Sequence, residues 1–127
     1  ARGPFLLCRD AIPYLKLHEQ SFIINIISVA GVKGYVNQAV YSASKHALMG
    51  MTKALAKELQ SDGIRVHAIC PGGVDTQLVN ELDPSYDRSV LMKPEEIADI
   101  VLFLLAKKGN AVIDEIRVRR ANSMPWE

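Results

Sequence analysis

Tyr41 and Lys45 stand four residues apart in the stretch YSASK, and Ser28 lies thirteen residues before the tyrosine. On a helix, positions i and i+4 share a face, so the phenol and the ammonium are within reach of each other. A free tyrosine, with a pKa near 10, is a weak acid and a weaker base at pH 7, but a neighbouring ammonium stabilises its anion. At a separation of about 4 Å and an effective dielectric near 20 the attraction is on the order of 4 kcal/mol. That is enough to bring a phenol toward the pH at which a general acid or base works best. A serine hydroxyl beside it holds a substrate oxygen while charge develops there. The chemistry is proton transfer to or from a carbonyl or alcohol oxygen. A tyrosine and lysine at this spacing are by themselves more often the mark of a solvated helix surface, and Ser28 at a predicted strand end is what reverses that order in favour of chemistry.

The elements around these residues are predicted as follows. From Pro4 to about Leu17 the apolar residues Phe5, Leu6, Ala11, Ile12 and Leu15 suit a helix, with Pro13 bending or ending it. FIINIIS, Phe22 to Ser28, reads as a strand buried on both faces, as in a parallel sheet. A glycine-punctuated loop leads to a helix from about Ala39 to Gln60, with Asn37 as its cap and Ser61-Asp62-Gly63 as its terminator. IRVHAIC, Ile64 to Cys70, is a second strand of the same kind, closed by Pro71-Gly72-Gly73. Polar, irregular sequence from Asp75 to Met92 is long for a plain connection and has the character of a functional loop or lid. Pro94, with Glu95 and Glu96 beside the positive end of the dipole, opens a helix ending at Lys107, Lys108 and Gly109, and a last strand, AVIDEIRV, follows.

The order helix, strand, helix, strand, helix, strand specifies an α/β fold with a parallel sheet and right-handed crossovers. It places Ser28 at the carboxyl end of a strand, where open α/β sheets bind ligands. FIINIIS is too apolar for an exposed edge, so residues upstream, or another chain, are expected to supply its other neighbour.

The 127 residues make one domain of ordinary size, 49% of them hydrophobic, enough to bury a core. Fifteen basic against fourteen acidic residues, mostly scattered, exclude a nucleic-acid groove and a polybasic membrane patch. Cys8 and Cys70 are too few and too far apart in sequence for a zinc site or a disulfide framework, and reduced thiols in a cytoplasmic setting are expected. Neither a signal peptide nor a run of about 18 apolar residues is present.

SVAG, YSASK with its Ser28, IRVHAICPGGVDT and PEEIADIVLFLL together resemble the short-chain dehydrogenase/reductase family, over residues 1 to about 106. The resemblance implies a three-layer Rossmann-like parallel sheet, of which residues 1–127 are the carboxyl-terminal half, and hydride transfer between NADP or NAD and a carbonyl or alcohol. NADPH is favoured by a small margin. By that likeness Tyr41 is the catalytic acid and base, Lys45 assists it and binds the nicotinamide ribose, and Ser28 orients the substrate carbonyl. Pro71, Gly72, Gly73, Val74 and Thr76 are implied to line the coenzyme; no metal is implied.

The family's glycine-rich phosphate loop and its coenzyme-selecting residue are absent from these 127 residues, and its catalytic asparagine would fall just before Ala1. His67 replaces the usual asparagine and is expected to be a packed or hydrogen-bonded core residue. His18 and His46 are expected to be solvated. The ending AVIDEIRVRR is closer to 3-oxoacyl-acyl-carrier-protein or 3-hydroxy acid reductases. Two expectations follow: the carboxyl-terminal half of an oxidoreductase that forms a homodimer or homotetramer when full length, or a truncated, non-catalytic chain that pairs with a full-length subunit. Such pairing would use the helices at Pro4 and Ala39, the latter presenting Val40, Ala43, Ala47, Met51, Leu55 and Leu59.

Overall fold

The computed structural model describes residues 1–127, the side chain of Asn80 excepted. Four helices, α1 (Arg2–Leu15), α2 (Ala39–Glu58), α3 (Gln77–Leu82) and α4 (Pro94–Ala106), alternate with three strands, β1 (Ser21–Ile26), β2 (Ile64–Pro71) and β3 (Glu115–Val118). Single 3₁₀ turns lie at Val29–Gly31, Gln60–Asp62 and Arg88–Val90. The strands form one parallel sheet in the order β1-β2-β3.

The period of two along β2 divides the core. Ile64, Val66, Ala68 and Cys70 face α2, where they meet Leu48, Met49 and Leu59, while Ile69 points to the other face and packs on Ile97 and Leu104 of α4. Ile23 and Ile24 of β1 split in the same way, the first joining Ile12, Leu15 and Leu55, the second joining the α4 cluster. The result is three layers, with α1 and α2 on one face and α4 on the other.

That arrangement corrects one expectation. Both crossovers step the same way along the sheet, from β1 to β2 and from β2 to β3, yet their helices lie on opposite faces. They therefore have opposite hands, and only one can be right-handed. The preference for the right hand arises where a twisted strand feeds directly into its helix. Twenty-two residues separate Pro71 from Pro94, so α4 is free of that constraint.

Several local expectations also change. Pro13 does not end α1, which runs two residues further, because a missing N–H near a helix terminus forfeits a single bond. Asn37 does not cap α2; Gln38 occupies that place, and Asn37 takes a left-handed φ of 62°, which asparagine tolerates better than most residues. β1 is only half-buried, Ile26 being 44% exposed, because no strand lies along its far edge among the described residues. Only residues 115–118 of the last segment pair as a strand; before them Asp114 accepts from Ala68 N, and Ile113 accepts from His67 Nδ1 at 2.6 Å. His67 is thus a buried structural histidine, stacked on Phe22, as expected. His46 is exposed but not merely solvated, since its Nδ1 donates to the Ser42 carbonyl. Cys8 and Cys70 are free and buried, and burial pushes both thiols up.

Arg65 ties the sheet to the end of α4. Its guanidinium donates to the carbonyl oxygens of Lys107 (2.8 Å) and Gly109 (2.6 Å), acceptors that the helix itself cannot satisfy. Arg65→Ala is expected to lower stability by about 1–3 kcal/mol in denaturant unfolding, since it removes two bonds to a charged donor. Arg65→Lys, which lacks the fork, should recover no more than half of that.

Candidate active site

The main-chain ladder between β1 and β2 continues one residue past β1, where Ile27 N donates to Ile69 O (2.8 Å). Ser28 then turns the chain into the Val29–Gly31 helical turn, and its Oγ caps that turn by accepting from Ala30 N at 3.1 Å. This engages a lone pair and leaves the hydroxyl proton available for donation. Cys70 lies beneath, its thiol held up chiefly by burial, with Glu115 adding to the effect and the Ser28 backbone N–H, Arg117 and Lys53 opposing it. A buried neutral thiol packs; it does not attack.

The turn after Ser28 is pressed against α2. A Cβ added at Gly31 would stand 2.7 Å from Ile27 Cγ2 and 3.1 Å from the Lys45 carbonyl oxygen, so glycine is what permits this approach. From the same helix Tyr41 and Lys45 project together, with Lys45 Nζ 5.6 Å from the centre of the phenol ring. Tyr41 is 45% exposed and lines an open depression with Asn37, Gln38, Val40 and Ser44. The structure thereby brings Tyr41 and Lys45 into contact and seats the Ser28 turn on the backbone of Lys45.

Because all strands are parallel, their carboxyl ends meet along one edge. Gly72 N donates to Val118 O (2.8 Å), which draws the PGGVDT loop against the end of β3. Met92 N donates to Gly73 O (3.1 Å) and Asp75 N to Met92 O (2.7 Å), closing the neck of the segment between them. A Cβ on Gly72 would make only ordinary contacts, with Val118 O at 3.6 Å and Met92 Cε at 3.9 Å, so its backbone is approachable. Gly73 serves a different end: the space a side chain would fill is taken by Leu91 Cδ2 at 2.9 Å and by the stem of Arg120 at 3.4 Å. Thr76 precedes α3, exposed, without a side-chain capping bond.

The segment expected to be irregular contains α3 and the Arg88–Val90 turn. It has an internal strut, Arg88 Nε donating to Asp75 Oδ1 at 2.6 Å, and a bond to the chain end, Arg120 Nη1 donating to Tyr86 Oη at 2.6 Å. Neither partnership has a sequence signal, since Asp75 and Arg88, and Tyr86 and Arg120, meet only after folding. Gly31 was visible as a glycine but not as the seat of the Ser28 turn.

A family model described as short chain dehydrogenase matches residues 1–87. The chain belongs to the short-chain dehydrogenase family. Among its relatives, the short-chain dehydrogenase/reductase olcF of Penicillium canescens is 37% identical over 128 residues, covering 84% of this chain and 50% of that protein. The 3-oxoacyl-acyl-carrier-protein reductase FabG of Thermotoga maritima is 33% identical over 123 residues, covering 91% of this chain and 50% of that protein. This short-chain dehydrogenase chain thus spans about half the length of the curated relatives it matches. Solved structures agree on the fold. A 4-hydroxyisoleucine dehydrogenase complexed with NADH superposes with a TM-score of 0.75 at 28% identity, covering 92% of this chain and 53% of that one. The closed form of serine dehydrogenase complexed with NADP+ gives 0.82 at 25% identity, covering 91% and 50%. The three-layer parallel sheet is the Rossmann-like sheet of these dehydrogenases.

Proposed function

We propose that the chain carries the catalytic group of an oxidoreductase that interconverts a carbonyl and an alcohol with NADP(H) or NAD(H). The observation that supports this most is the joint placement of Tyr41 and Lys45 on one face of α2 with the Ser28 turn seated on the Lys45 backbone. Solved relatives of the same fold were complexed with NADH or NADP+.

The residues fit such a coenzyme. Gly72 offers approachable backbone at the strand ends, and the Lys45 ammonium and Tyr41 phenol stand on the helix beside that edge. Pro71, Gly72, Val74 and Thr76 would flank the nicotinamide, and Lys45 would hold the adjoining ribose. When bound, the reduced coenzyme supplies a hydride to the carbonyl carbon. In that direction Tyr41 gives its proton to the carbonyl oxygen, and in the reverse direction it takes the proton of the alcohol. Ser28 donates a hydrogen bond to the same oxygen and keeps its proton, fixing the orientation of the carbonyl, with the Lys45 ammonium standing beside the phenol.

The free edge of β1 is where we place the remainder of the sheet, including the phosphate-binding loop that the dinucleotide requires. The exposed apolar residues Leu7, Tyr14 and Val40 on α1 and α2, with a groove of about 280 Å³ between Phe5, Ile12, Met51 and Leu55, suit pairing with a second subunit. Similarity to the Thermotoga maritima reductase makes 3-oxoacyl thioesters the first substrates to try. The test is coenzyme oxidation by the full-length protein against a panel of 3-oxoacyl thioesters, 3-oxo acids and simple ketones. Consumption of NADPH or NADH matched one to one by alcohol is expected; no oxidation with any carbonyl would overturn the assignment.

A further inference from the structure

The segment from Asp75 to Met92 leaves the strand ends as a loop with a closed neck. Its base is fixed by the bonds between Gly73, Asp75 and Met92, and the Asp75–Arg88 pair braces it from within. Beyond the neck it is lightly held. None of the described side chains of α3 is buried, Leu78 being 57% and Leu82 77% exposed. Among the described residues, the hydrogen bonds of residues 76–90 stay within the segment or return to Asp75, with one exception: Arg120 Nη1 donates to Tyr86 Oη.

Arg120 is well placed for this contact. β3 is parallel to β2, so the chain leaving Val118 emerges at the same edge as Ser28 and Gly72. The Arg120 stem passes beside Gly73, its Cδ 3.4 Å from where a side chain would begin, and the guanidinium reaches out to the loop tip. Arg119 fixes the segment that follows, donating from Nη1 to the carbonyls of Arg120, Ala121 and Ser123. No carboxylate pairs with Arg120 among the described residues, so the phenol oxygen is its one side-chain partner.

We propose that Arg120 is a positioning residue that latches the 75–92 segment, as a lid, to the carboxyl-terminal strap, and that this latch sets how readily ligands enter and leave the strand-end site. A charged donor on a hydroxyl is strong enough to order a loop tip yet weak enough to release on each cycle. The latch deepens the proposed function, but it is read independently of turnover.

Amide hydrogen exchange over residues 77–87 of the full-length protein tests it, comparing Tyr86→Phe, Arg120→Gln and the double variant. Each single change should speed exchange there about five-fold, and the double variant should go no further than either alone, because both delete one bond. The thermal midpoint should not move. In the carbonyl assay the same variants should raise KM without altering the pH profile of kcat, a separation that general destabilisation does not produce. Exchange unchanged in either single variant, or multiplied in the double, would overturn the latch. Loosened exchange in a protein that reduces no carbonyl would support the latch and refute the proposed activity.

Discussion

Tyr41→Phe in the full-length protein should reduce kcat by about 10²- to 10⁴-fold, the range over which a positioned general acid contributes, while the coenzyme dissociation constant stays within a factor of about two. The separation follows from the local structure. Only the hydroxyl is lost, and among the described residues no intrachain hydrogen bond engages that oxygen. The ring itself remains, with Lys45 Nζ still free to rest over it at 5.6 Å, so the helix surface and the cation's position are preserved. Ser28→Ala should lose less, because it removes one donor to the substrate oxygen and leaves the proton source in place. Steady-state kinetics with fluorescence titration of the coenzyme separate the two quantities. A Tyr41→Phe enzyme with kcat within about three-fold of wild type would remove the acid-base assignment.

The residues behind that prediction were legible in the sequence because each belongs to a local pattern. Tyr41 and Lys45 follow from helical spacing, and Ser28 from the end of an isoleucine-rich run. The α/β alternation and the opening of α4 at Pro94, with Glu95 and Glu96 in its first turn, were equally local. What the pattern concealed depends on chain segments meeting. An apolar run such as FIINIIS announces a strand that needs cover on both sides, and the half-exposure of β1 follows from the neighbour it lacks among the described residues. The opposite hand of the two crossovers depends on which face α4 reaches after a long connection, and no residue in α4 encodes that alone. Arg65 illustrates the same point, since nothing near it in sequence announces that it will cap the end of α4.

Glycine at position 31 marks where sequence and site are coupled most tightly, and Gly31→Ala is expected to damage both stability and turnover. The added Cβ would sit 2.7 Å from Ile27 Cγ2 and 3.1 Å from Lys45 O, and the second contact is with helix backbone, which cannot rotate away. Something must shift, and the pieces within reach are the Ser28 turn and the start of α2. Overpacking of this kind costs about 1–3 kcal/mol, and a displacement of about 1 Å at a reacting group can cost on the order of 10²-fold in rate. Urea unfolding and kcat should therefore fall together, with the pH dependence of the remaining activity unchanged because Tyr41 and Lys45 are still present. Gly50, on the same helix with open space where its Cβ would be, is the control; Gly50→Ala should be neutral or stabilising by up to about 1 kcal/mol. Adding Ile27→Leu to Gly31→Ala removes the Cγ2 branch but not the Lys45 carbonyl, so it should restore stability in part and activity little. Full activity in Gly31→Ala alone would mean that the seating of the Ser28 turn on α2 does not position the catalytic group.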